Sequence, residues 1–180
     1  MTGAARASMR RGLQMVFQDA AGSLNPRMTI RQTLAEVLRF HHMVPRGEEN
    51  ARILELIARV GLTDRVLDRY PREISGGQCQ RASIARALAL EPRVLVADEP
   101  VSALDVSVQA RILNLINGLR RELGLAVLLI SHDLAVVRTI CDRVCVMHQG
   151  VFVECGTTEQ VLENPQHPYT KELLAAVPRV

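Results

Sequence analysis

Ile74-Ser75-Gly76-Gly77-Gln78-Cys79-Gln80-Arg81, followed by Val94-Leu95-Val96-Ala97-Asp98-Glu99-Pro100, decides the fold. In the first stretch a serine precedes two glycines and a run free of breakers up to Pro92, which predicts a helix over 76–90 with Ser75 as its cap. The second is an uninterrupted apolar run ending in two carboxylates, the pattern of a buried strand. Such a strand delivers Asp98 and Glu99 to the carboxyl edge of its sheet, where α/β proteins place their ligand sites.

Working outward, the alternation continues. A helix is expected over 107–123, with Val108, Ile112, Leu115 and Leu119 on one side, and a strand over 126–130. Ser131-His132-Asp133 follows, and Asp133 can cap a helix over 134–141. Strands 144–148 and 151–155, joined at Gln149-Gly150, read as a hairpin. Thr157-x-x-Gln160 has the spacing of a capping box, for a short helix ended by Asn164-Pro165. Upstream, Leu13 to Phe17 reads as a strand ending at Gln18-Asp19, and Asn25-Pro26 as a turn. Thr29 can cap a helix carrying Ile30, Leu34, Val37 and Leu38 on one face. Gly47 opens a second helical segment with a stripe of Ile53, Leu54, Ile57 and Val60, and Gly61 stands at its end. Residues 29–73 thus form a helical lobe closed by Tyr70-Pro71. Apolar strands alternating with amphipathic helices predict a mostly parallel sheet covered on both faces.

Composition excludes several classes. Aromatics make up 3% with no Trp, so binding of nucleic acid by base stacking is not expected. The net charge of +3 comes without a Lys/Arg block, which removes the electrostatic argument for nucleic acid as well. No apolar run reaches the roughly 18 residues of a membrane span, and residues 1–12 have no apolar signal core, so a cytoplasmic protein is expected. Cys79, Cys141, Cys145 and Cys155 form no C-x-x-C pair and read as small buried residues in a reducing compartment.

Each chemical signal has a plainer explanation when taken alone. Of the Asp98-Glu99 pair, one carboxylate can hold Mg²⁺ while its neighbour polarises a water, but two acids also cap whatever follows a strand. Ser75-Gly76-Gly77-Gln78 offers free N–H groups and the positive end of a helix to an anion such as a terminal phosphate; it is equally a glycine turn with an ordinary cap. Ser102-Ala103-Leu104-Asp105 precedes a helix and is, by itself, another cap. His132 and Gln18 each follow a strand at the same expected edge. A histidine there can donate to a phosphate and position a water, and a glutamine can ligate Mg²⁺ or water, yet both residues are common in such places.

Their order is far more specific. Gln18 after a strand, Ser-Gly-Gly-Gln at a helix start, apolar-Asp-Glu, Ser-Ala-Leu-Asp and strand-Ser-His-Asp resemble the Q-loop, signature motif, Walker B strand, D-loop and H-switch of the ATP-binding subunit of ABC transporters. The resemblance covers residues 12–180. Val16-Phe17-Gln18-Asp19, Ser23-Leu24-Asn25-Pro26-Arg27-Met28-Thr29, Asp98 to Ser107 and Asn164-Pro165-Gln166-His167-Pro168-Tyr169-Thr170 are similar to the oligopeptide/dipeptide importer branch. It implies a P-loop NTPase-type α/β fold with an inserted helical signature subdomain, a helical lobe at about 24–90 and a C-terminal hairpin with helices at about 144–180, all within a single partial ATPase domain. It also implies ATP and Mg²⁺ as cofactors. Glu99 and His132 would be catalytic, Glu99 as general base and His132 at the γ-phosphate. Asp98 and Gln18 would stand on the metal side. Ser75, Gly76, Gly77 and Gln78 would complete the nucleotide site of a second ATPase subunit, with Asp105 at the seam. The other implied partners are transmembrane permease subunits, whose coupling helix the lobe would receive, and indirectly an extracytoplasmic substrate-binding protein. The location would be peripheral, on the cytoplasmic face of the membrane. The branch includes importers of dipeptides, oligopeptides, glutathione and nickel.

The family's glycine-rich phosphate loop, G-x-x-x-x-G-K-[ST], is not found in these residues. By the resemblance it belongs before residue 12, on a strand lying between those at 126–130 and 144–148. The expectation is therefore a chain lacking the N-terminal part of its domain, with unpaired strand edges and an opened core, that binds ATP weakly or not at all by itself and tends to aggregate.

Overall fold

A computed structural model describes residues 9–176. These residues pack as two compact units, divided between Ile130 and Ser131.

The first unit is built on three strands, β1 (Leu13–Val16), β2 (Val94–Asp98) and β3 (Ala126–Ile130), in spatial order β1-β2-β3. Both pairings are parallel, with Val16 opposite Ala97 and Asp98 opposite Ile130. Between β1 and β2 the chain forms α1 (Ala20–Ser23), α2 (Ile30–Phe40), α3 (Glu49–Arg59) and α4 (Gly76–Leu88); α5 (Val106–Leu123) joins β2 to β3. The parallel sheet and inserted helical lobe follow the sequence expectation.

The sheet is buried more deeply on one face than on the other. Val16, Leu95 and Ala97 are fully buried, on the side where α4 packs against β1. The alternate positions point the other way, and there Leu13, Leu128 and Ile130 are 48%, 56% and 46% exposed. The expectation of a sheet covered on both faces is met unevenly: on the second face Met15, Val94 and Val96 are half-buried while Leu13, Leu128 and Ile130 are exposed. Among the described residues β3 pairs with β2 and no other strand, which leaves the expected open edge.

Caps and stripes set the helices of the lobe. Thr29 starts α2 with a capping box: its hydroxyl accepts from the Gln32 N–H at 3.2 Å, and the Gln32 carboxamide accepts from the Thr29 N–H at 2.9 Å. In α3 the buried apolar residues are Ile53, Leu56 and Ile57, continued by Val60, while Leu54 is exposed. Spacings of three, four and seven from Ile53 select Leu56 rather than the expected Leu54. Gly61, at φ +67°, ends α3: its N–H donates to the Ala58 carbonyl at 2.9 Å and that of Leu62 to Ile57 at 3.0 Å. Arg31 ties the lobe together with a forked ion pair to Asp68, at 2.8 and 3.2 Å. In α5 the buried side is Ile112, Leu113, Ile116 and Leu119. Val108 and Leu115 are only half-buried, so the stripe is turned from the expected one.

The second unit contains α6 (Leu134–Ile140), the antiparallel pair β4 (Arg143–His148) and β5 (Val151–Thr157), α7 (Thr158–Glu163) and α8 (Pro168–Ala175). Gln149 and Gly150 both take positive φ, 49° and 82°, as a two-residue hairpin turn requires. Val137, Val146, Val161 and Leu162 form its core. Thr157 and Gln160 form the expected capping box. Glu154 accepts from the N–H groups of Gln166 at 2.8 Å and His167 at 3.1 Å, and the His148 and Tyr169 rings lie 3.9 Å apart. These bonds fold the Asn164 to Thr170 stretch back onto the hairpin.

Candidate functional site

Parallel pairing brings the motif residues of the first unit to one sheet edge. β1 ends at Val16 opposite Ala97, so Gln18, exposed in the bend that follows, leaves the sheet beside Asp98 and Glu99. Glu99 has φ +44°, a left-handed conformation that costs a non-glycine residue of order 1–3 kcal/mol. Bonds on either side hold it there. Its N–H donates to the Ile130 carbonyl at 2.9 Å, and its own carbonyl accepts from the Ser102 N–H at 3.3 Å and hydroxyl at 3.2 Å. The backbone thus turns sharply at Glu99 while Asp98 stays in register. Nothing in an Asp-Glu dipeptide announces that conformation.

Ser75 caps α4 as expected. Its hydroxyl accepts from the Gln78 N–H at 3.3 Å, and the Gln78 carboxamide accepts from the Ser75 N–H at 2.9 Å. The Cys79 N–H goes to the Ser75 carbonyl at 2.9 Å. The N–H groups of Gly76 and Gly77 remain at the helix start, with Ser75 and Gly76 solvent-exposed. Gln78 is therefore committed to closing the cap.

The two glycines also have a reason inside the chain. A Cβ on Gly77 would lie 2.6 Å from Cγ1 of Val108, and one on Gly76 3.3 Å from Cδ2 of Leu104. The start of α4 thus sits hard against the segment leading into α5. Asp105 caps that helix, its carboxylate accepting from the Val108 N–H at 3.0 Å and the Ser107 hydroxyl at 2.8 Å. Those bonds, the Val108 N–H foremost, hold its pKa below the ordinary carboxylate value.

The segment after Gln18 is anchored to α4 as well. Asp19 caps α1 through the Gly22 N–H at 2.8 Å, and Arg86 of α4 donates to the Ser23 carbonyl at 2.6 Å. Burial lowers the pKa of Arg86. Sequence reasoning missed this residue, because an arginine inside a helix carries no signal until its partner is known. Gln18, the α4 start and Asp105 are thus mechanically connected within one unit. His132 is exposed, two residues beyond β3 at the start of the second unit, and Asp133 caps α6 through Ala135 at 2.8 Å.

The residues present suit a magnesium nucleotide in part. Gln18 and Asp98 offer hard oxygen donors, and Mg²⁺ needs only one or two carboxylates when phosphates and waters complete its shell. Among the described residues no three His, Cys, Asp or Glu side chains are grouped closely enough to hold a metal by themselves. The Gly76 and Gly77 amides suit a phosphate oxygen. A lysine to cradle the β- and γ-phosphates is another matter: the sequence contains one lysine, Lys171, in α8 of the second unit.

Residues 1–102, more than half of the chain, match the family model described as ABC transporter. The chain belongs to the ABC transporter family. Residues 153–180 match a second model, the oligopeptide/dipeptide transporter C-terminal region. The oligopeptide transport ATP-binding protein OppF of Escherichia coli K12 is 54% identical over 172 residues, covering 95% of this chain and 52% of that protein. The glutathione import ATP-binding protein GsiA of Pectobacterium atrosepticum is 52% identical over 178 residues, covering 99% of this chain and 29% of that one. The chain therefore spans about half, or less, of the curated relatives it matches. Among solved structures, cbiO1 from Clostridium perfringens, part of the ABC transporter complex cbiONQ, superposes with a TM-score of 0.79 at 28% identity, over 91% of this chain and 64% of that one. A dimeric ATP-binding cassette in a post-hydrolysis state, bound to ADP and Pi, gives 0.74 at 30% identity, over 88% and 68%. The fold is that of an ABC ATPase, a mixed α/β domain of the P-loop NTPase type, as the sequence motifs implied.

Proposed function

We propose that this ABC family chain is the central and C-terminal part of an ATP-hydrolysing subunit that energises import of peptides across the cytoplasmic membrane. The observation that carries the reading is the strained turn at Glu99, set at the same sheet edge as Asp98 and Gln18. Strain held at an acidic residue beside two oxygen donors serves positioning, since a turn alone is made more easily with glycine. Glu99 is the general base that accepts a proton from water. Asp98 and Gln18 stand on the Mg²⁺ side. His132 orients the reacting phosphate, from a loop after β3. Bound Mg²⁺ would supply charge neutralisation at the phosphates.

The Ser75–Gln78 helix start serves a second nucleotide, held by a partner ATPase subunit. Ser75 and Gly76 are solvent-exposed, as an interface between two subunits requires, and a relative of the same fold is dimeric. The remaining partners are the transmembrane permease subunits, contacted by the lobe, and indirectly an extracytoplasmic substrate-binding protein. The chain would lie peripherally on the cytoplasmic face. No helix among the described residues is long and apolar enough to cross a membrane, so anchoring falls to those partners. Relatives named for oligopeptide and for glutathione import both support a short peptide as the transported class.

Because its one lysine lies in α8, the chain offers no phosphate-loop lysine of its own, which favours supplying the signature side to a partner over turning over ATP alone. Replacing Glu99 by Gln in an assembled transporter separates a catalytic from a purely structural subunit. Loss of ATP-driven uptake with assembly intact supports catalysis, and unchanged uptake rules it out.

A further inference from the structure

Cys145 and Cys155 are exposed, against the sequence expectation of buried cysteines, which holds for Cys79. They stand directly opposite each other in the β4–β5 ladder. The Thr158 N–H donates to the Asp142 carbonyl at 3.1 Å, which makes residues 142 and 158 a hydrogen-bonded pair one step beyond Arg143 and Thr157. Antiparallel pairs alternate, so 144 and 156 are hydrogen-bonded, and 145 and 155 are not. In a non-hydrogen-bonded pair the Cα atoms are about 4.5 Å apart and the side chains lie closest, within the roughly 4.4–6.8 Å span that a disulfide bridges. Both thiols are on the solvent side of the hairpin; Val144 and Val146, the alternate residues, turn inward to the core of the unit.

We propose that Cys145 and Cys155 form an oxidisable dithiol, a site of thiol–disulfide exchange with low-molecular-weight disulfides that closes a covalent bridge across the hairpin. The thiolate of one cysteine attacks a sulfur of the small disulfide, forming a mixed disulfide and releasing one small thiolate. The facing cysteine, losing its proton, attacks the protein sulfur of that mixed disulfide and expels the second small thiolate. In sum, two protein thiols lose two electrons and two protons, and one small disulfide becomes two thiols. The neighbouring Cys145 thiol pushes the pKa of Cys155 up, which suits Cys155 to the second, intramolecular step. Arg143, on the same face of β4, opposes that rise at Cys155 more weakly than Cys145 drives it.

The test is to equilibrate the full chain in a glutathione redox buffer, quench with acid, and measure intact mass and the linked peptides after proteolysis. The same treatment in urea provides the reference. The folded chain should lose two hydrogens and yield a Cys145–Cys155 peptide. In urea, linkage should shift toward Cys141–Cys145, which are nearer in sequence. Cys155→Ser should leave a glutathione adduct on Cys145 and no intramolecular link. Separate adducts on both cysteines of the folded chain, or the same linkages with and without urea, would overturn the proposal. A folding defect in the serine variant leaves the wild-type mapping decisive.

Discussion

The helix start at Ser75–Gln78 and the strand end at Asp98–Glu99 carry the two motifs from which the fold was read, and they are built on opposite principles. The first is complete within the chain: a reciprocal cap closes it, and Val108 and Leu104 fill the space its glycines leave. The second is held out of its relaxed geometry, with Glu99 at φ +44°. One is a finished surface that offers amides to whatever approaches. The other is a pair of carboxylates which, on the proposed reading, act on a phosphate that a lysine of this unit does not hold, the one lysine lying in α8. A sequence motif can thus be closed by local bonds alone, or be held in a strained geometry by bonds from distant residues.

Substitutions at the two sites should separate them, and the strand end should show the larger effect. Glu99→Gln preserves shape and removes the base, so ATP turnover by an assembled transporter should fall about 10²–10⁴-fold with subunit assembly unchanged. An equal loss of assembly would move Glu99 from the chemistry to the scaffold. At the helix start the expected cost is in stability. Gly77→Ala gains up to about 1 kcal/mol of helix propensity but forces a methyl against a β-branched side chain at 2.6 Å, a clash of roughly 1–3 kcal/mol. The clash should win, and denaturant unfolding should show net destabilisation that Val108→Ala relieves in the double variant. Stabilisation by Gly77→Ala alone would mean that Val108 yields to the added methyl. Ser75→Ala should cost about 1 kcal/mol through loss of the cap.

The smallest expected effect lies in the second unit. The N–H groups of Gln166 and His167, with Gln166 foremost, hold the Glu154 carboxyl below its ordinary pKa. A depressed carboxylate contributes stability that is present above its unfolded pKa and is lost as pH falls through the folded one. Acid unfolding of this unit should therefore shift to higher pH, by a small amount, in Glu154→Gln. An unchanged acid transition would show that the bonds to the 166–167 backbone contribute nothing.

Much of this was legible in the residues, and what was not has identifiable causes. The caps at Thr29, Ser75, Asp133 and Thr157 could be read because a short polar side chain before an apolar run has one local use. The parallel strands could be read from their uninterrupted apolar character. The uneven burial of the two sheet faces, the substitution of Leu56 for Leu54 and the rotation of the α5 stripe could not, since each depends on which element packs where. The same holds for the role of Arg86, set by a carbonyl far along the chain, and for the facing of Cys145 and Cys155, set by register. The family resemblance located Glu99; its backbone conformation is set by bonds to Ile130 and Ser102 that the dipeptide does not announce.

The most direct test of the contrast between the two motifs is steady-state ATP hydrolysis by the purified, monodisperse 180-residue chain. The expected result is no turnover above background for the chain alone, with Mg²⁺ and ATP in excess. Sustained hydrolysis by the chain alone, abolished by Glu99→Gln, would contradict the account, because it would show that the carboxylate edge works without a phosphate cradle supplied from elsewhere.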